Sequence, residues 1–198
     1  AASRLTELKA KHEERTAELR EKRDARIVRR DDARERWREN RDDHFAKLRE
    51  RADTDAKKQR VETFITAVAS AVEARRAATD AAIDAFHQGI DAAYAEWHAG
   101  VIRAFEAFAA AIREAAAKAK ADCAAGTDSP AVKSAFQTSV RNAKAKLTAD
   151  LKALPKFSEA VRTLNATRKA AFEEAFATFK AAIEQAKMDL KAALGETE

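Results

Sequence analysis

Turn-forming residues are nearly missing from this chain. Its 198 residues hold 4 Gly and 2 Pro, and neither type occurs before Gly89. Average usage of the two together is roughly 12%. A sandwich, a barrel or a doubly wound sheet needs a turn about every 8–12 residues, and the chemistry for those turns is not here. Ala, the best helix former, occurs 51 times, 42 of them in residues 61–198. The sequence predicts an all-α protein of few, very long helices.

The few breakers mark where those helices should stop. In Ala124-Ala125-Gly126-Thr127-Asp128-Ser129-Pro130, Gly126 can end one helix, Ser129 can cap the next, and Pro130 suits a first helical position. Pro155 lacks an N–H and clashes with a preceding helical turn, so Leu154-Pro155 is a smaller break, and Gly195 is a plausible stop. Asp53-Thr54-Asp55 is the best earlier interruption, since Asp and Thr cap helices. Gly89 and Gly100 lie eleven residues apart on one helix face, where missing side chains permit close approach of a partner helix.

Apolar residues recur in steps of three and four. One stripe runs through Val61, Ile65, Val68, Val72, Ile83, Phe86, Ile90, Tyr94, Trp97, Val101, Phe105, Phe108 and Ile112. Another runs through Val132, Phe136, Val140, Leu147, Leu151 and Leu154, and a third from Phe157 through Phe172, Phe176, Phe179 and Ile183 to Leu194. This is the mark of amphipathic helices. Two arms, about 61–122 and 131–194, are of nearly equal length, about 95 Å each at the helical rise. Joined by a short turn at 124–130, they read as an antiparallel helical hairpin spanning residues 56–198.

The first segment, residues 1–55, has a different character. Residues 1–60 carry 20 Lys/Arg and 15 Asp/Glu, so the whole formal charge of +5 sits there. Its sparse stripe includes Leu19, Ile27, Trp37 and Phe45, but Arg23, Arg30 and Arg41 interrupt it. In composition the segment resembles highly charged single helices held by i,i+4 pairs such as Glu7–Lys11 and Glu18–Lys22. The polar centre of the stripe predicts a projecting charged arm. A spectrin-like three-helix bundle, with this segment folded back, is the rival.

Little in the sequence points to chemistry. There is no Gly-x-Ser-x-Gly, no Gly-rich phosphate loop and no His-Glu-x-x-His, so no catalytic residue and no enzyme are expected. Asp84, His87, Asp91 and His98 share a helix face, but the C-terminal arm offers no His to complete a di-metal site, so no metal or other cofactor is expected. Cys123 is the single thiol, which excludes an internal disulfide and leaves an inter-subunit cross-link open. Interleaved acids, as in Arg30-Asp31-Asp32-Ala33-Arg34-Glu35-Arg36, lower the field a phosphate would feel and argue against nucleic acid as a partner. No apolar run approaches 18 residues, and the charge-neutral hairpin lacks the basic flank that membrane-surface helices use.

What remains is the apolar stripe. Ten Phe, two Trp and one Tyr lie on thin helices that cannot surround them, and half-exposed large side chains drive association. The expected partner is the chain itself. The subunit would be non-enzymatic and would polymerise into a filament or pilus-like fibre through Leu19, Ile27, Trp37, Phe45, Phe86, Trp97, Phe105, Phe108, Phe172, Phe176 and Phe179. The small residues Ala1-Ala2-Ser3 fit signal-peptide removal and so an extracellular or cell-surface place, with the cytoplasm as alternative. The rival function is a soluble coiled-coil adaptor, or a nucleic-acid-associated protein using the basic arm.

Overall fold

The computed structural model describes the backbone of residues 2–194 and the side chains of residues 6–11 and 13–192. Four α-helices fill it: α1 (Ala2–Glu50), α2 (Asp55–Ala124), α3 (Ser129–Ala153) and α4 (Phe157–Leu194). No strand occurs among the described residues. The fold is all-α, and α2 forms an antiparallel hairpin with α3 and α4.

Each boundary has a local chemical cause. Between α1 and α2, Thr54 caps: its Oγ1 accepts from the Lys57 N–H at 3.3 Å, and its carbonyl accepts from Lys58. The first bond satisfies a donor that the new helix would otherwise leave unmet, and the second opens the helical ladder. At the end of α2, Gly126 takes φ +79°, Thr127 N–H donates to the Asp122 carbonyl, and Gly126 N–H donates to that of Cys123. These are the two bonds of a Schellman stop, which needs the left-handed backbone that Gly adopts freely. The cap of α3 differs from expectation. Asp128, not Ser129, accepts from the Ala131 N–H, while Ser129 and Pro130 are already inside the helix. An ionised carboxylate also meets the positive end of the helix dipole, which a hydroxyl does not. Before Pro155, Leu154 is pushed to ψ 143°, as proline demands of its predecessor, and α3 ends there.

The described chain forms two compact units. The first comprises Ala1–Leu19 and Ile90–Val161. Here Leu154 sits over Gly100, which has no side chain to obstruct it, and the Tyr94 ring meets Phe157 edge-on at 5.6 Å. Val101, Ala104, Val132 and Ala143 are buried. The second comprises Arg20–Gly89 and Arg162–Glu198. Here Leu164 lies over Gly89, where an added Cβ would stand 2.5 Å from Leu164 Cδ2. Phe45, Ala52, Val61 and Ile65 form its core cluster, with Leu48, Phe64, Val68 and Leu190 packed against them.

The projecting arm is not what forms. In the second unit α1 runs antiparallel beside α2. Arg49 forks onto Glu62, while earlier in α1 and later in α2, Arg34 forks onto Asp80. Of the arginines that interrupt the apolar stripe, read as a reason for α1 to stay in water, Arg30 is part of what docks it, reaching Asp80 at 3.0 Å. Glu7–Lys11 does form, at 2.7 Å, as the i,i+4 spacing predicts.

Candidate functional site

The residues expected to form the assembly surface divide by exposure. Leu19, Ile27, Trp37 and Phe176 are exposed, with Trp37 at 51% and Phe176 at 56%. Phe86, Trp97, Phe105, Phe108, Phe172 and Phe179 are half-buried. Phe45 is buried in the core cluster and presents nothing to a partner. Trp97 stacks on Tyr94, with centroids 6.0 Å apart and planes 20° apart. Val28 and Met188 are also exposed, at 59% and 62%. Both were missed because neither stands on the main stripe of its helix. Cys123 is exposed, one turn before the Gly126 stop, and reachable by another thiol.

The most structured polar feature lies in the second unit, where α1, α2 and α4 meet. Asp80 of α2 takes both oxygens to Arg34 of α1, at 2.9 and 2.6 Å, and Arg30 reaches one of them at 3.0 Å. Arg76, one turn before Asp80, pairs with Glu73 at 2.8 Å and reaches the Arg34 carbonyl at 3.4 Å. The Arg34 bonds hold the Asp80 carboxyl below the usual carboxylate range, burial opposes them, and the charges of Arg34, Arg30 and Arg76 add to the effect. The same pairing raises Arg34 further above its already high value. Nearby, Arg75 lies over the rings of Phe179 and Phe176, at 4.9 and 5.8 Å, in cation–π geometry. These groups border a cleft of about 320 Å³ whose walls include Trp37 of α1 and Phe179 of α4.

The sequence showed none of this clustering. Arg30 and Arg34 fall one turn apart on α1, and Arg76 and Asp80 one turn apart on α2. Only the fold-back brings the two pairs together.

The helix-face residues considered for metal have other surroundings. His87 lies beside the Phe86 ring at 5.9 Å, and His98 beside Tyr94 at 6.4 Å. Among the described residues no three His, Cys, Asp or Glu side chains converge to hold an ion. Nor is any described helix long and apolar enough to cross a membrane. No family model, no curated protein and no solved structure matches this chain.

Proposed function

We propose that this protein is a non-enzymatic structural subunit that associates with copies of itself into a filament or pilus-like fibre. One observation carries the reading: the chain exposes 14138 Å². A folded monomer of 21.8 kDa is expected to expose about 9,300 Å². No large side chain of the described residues is fully enclosed, and Trp37 and Phe176 are more than half open to water. Covering such groups is worth roughly 1.5–3 kcal/mol each, and neighbouring copies are the nearest supply of matching apolar stripes. Non-closing contacts between copies give fibres.

Light scattering and negative-stain microscopy of the purified chain test this. Polymers are the expected result, and a monodisperse monomer across micromolar concentrations removes the reading. Phe176→Asp should disperse the polymer, and it is the cleaner probe because Phe176 is exposed. Trp97→Asp should do the same but also breaks the stack with Tyr94. Immunogold labelling of intact source cells reads whether the fibre stands at the surface or inside. The rival use of α1 as a basic nucleic-acid arm has less support, since Arg30, Arg34 and Arg49 are occupied by acids of α2. A gel shift at low salt that fades steeply with added salt would revive it.

A further inference from the structure

We infer that the cleft between Arg30, Arg34, Trp37, Arg75, Arg76 and Phe179 binds a small aromatic oxyanion: one carboxylate or phosphate attached to a flat ring. The cleft is about 320 Å³, at the small end of ligand-binding cavities. Four guanidiniums stand at its walls; Arg30, Arg34 and Arg76 pair with three carboxylates, Asp31, Glu73 and Asp80, and Arg75 with none among the described residues. One positive charge is left over, and a single anionic group balances it.

One arginine has capacity to spare. Arg75 makes its contacts to ring faces, with no carboxylate partner among the described residues. Its planar fork is pre-oriented on Phe179 rather than swinging in solvent. Arg30 reaches Asp80 at 3.0 Å and belongs to the frame of the cleft. Arg34 and Arg76 are committed to Asp80 and Glu73 and act as the frame.

The ring preference comes from Trp37. Its indole is half exposed at the cleft wall and stacks on no ring among the described residues. A flat ring placed there has a face to stack against while its acid group meets the guanidinium forks. Copies that cover Trp37 would close the cleft, so binding is measured at chain concentrations where light scattering shows no polymer.

Equilibrium dialysis of the full chain at low salt tests this, using adenosine monophosphate and benzoate as the two acid types and adenosine as the uncharged ring. Both anions should bind near one per chain, with adenosine weaker by about tenfold or more. Arg75 is exposed, so Arg75→Ala should leave the fold intact and weaken both anions about tenfold. Arg75→Lys should recover part of the loss, because charge returns without the fork. Trp37→Leu should bring adenosine monophosphate down to the affinity of inorganic phosphate. Arg113→Ala, on an exposed stretch of the first unit, should change nothing. Binding of only one acid type still supports the site and names the source. Absence of both, binding of adenosine equal to that of its phosphate, or equal weakening by Arg75→Ala and Arg113→Ala would overturn it.

Discussion

In the second unit α1 is held to α2 at two places of opposite chemistry. Near the turn, Phe45 and Ala52 pack with Val61 and Ile65. About four helical turns further along α2, Asp80 gathers Arg34 and Arg30. The first contact rests mainly on apolar burial, with Arg41 over the Phe45 ring at 5.6 Å and Arg49 paired with Glu62 at its edge. The second lives on charge and stays partly wet, with the Asp80 side chain 34% exposed and that of Arg34 23%. The difference teaches that a helix rich in ion pairs is not thereby independent. One apolar anchor sets the register, and a single acid can then collect the arginines that pass above it.

The largest expected effect attacks the apolar anchor. Phe45→Ala should cost about 3 kcal/mol, read from the urea midpoint, and the loss should be the same at low and high salt. A strongly salt-dependent loss would erase the distinction between the two contacts.

Asp80→Asn comes next, at about 1–2 kcal/mol at neutral pH, because it leaves half-buried guanidiniums without their shared acid. Salt should shrink this cost. Its pH dependence is the sharper reading. The folded Asp80 carboxyl ionises more readily than the unfolded one, first because Arg34 donates to it. Its stabilisation is therefore complete above the unfolded value, about pH 4, and is lost as pH falls through the lower folded value. Urea unfolding from pH 7 down to about pH 2 should show wild type losing stability in that window faster than Asp80→Asn. Asp53 and Glu62 shift the same way, through Lys57 and Arg49, so the variant should lose part of the acid sensitivity and not all of it.

Gly89→Ala is a smaller break, on the α2–α4 side. The added methyl would press on Leu164, while Ala gains about 1 kcal/mol of helix propensity over Gly. The net loss should be about 1 kcal/mol, and Leu164→Ala in the same chain should make the methyl tolerable, seen as coupling in a double-mutant cycle. Arg38→Ala should do least. Its pair with Glu35 is exposed on both sides, and solvent leaves such pairs little to contribute.

Much of the fold was legible because its causes are local. The stop at Gly126, the break at Leu154-Pro155 and the interruption at Asp53-Thr54-Asp55 are read from residues whose backbone preferences act within a few positions. The choice between Ser129 and Asp128 as cap went wrong because both are good caps and sit side by side. The assembly residues were legible as a stripe but not as a surface. Phe45 and Phe176 occupy equivalent places in the apolar pattern, yet one is 7% exposed and the other 56%. Periodicity names the face of a helix and not which neighbour covers it.

The arginine cleft was not legible at all. Arg34 and Asp80 are 46 residues apart, and nothing in the local pattern of either links them. By itself the amino-acid order determined helix, turn and amphipathic face, since those follow from propensity, capping and spacing over a few residues. Only the tertiary structure decided that α1 lies back along α2 and that its arginines converge on one carboxylate. The reason is physical: charge pairing between distant segments depends on distance in space, and chain order does not set that distance until the helices pack.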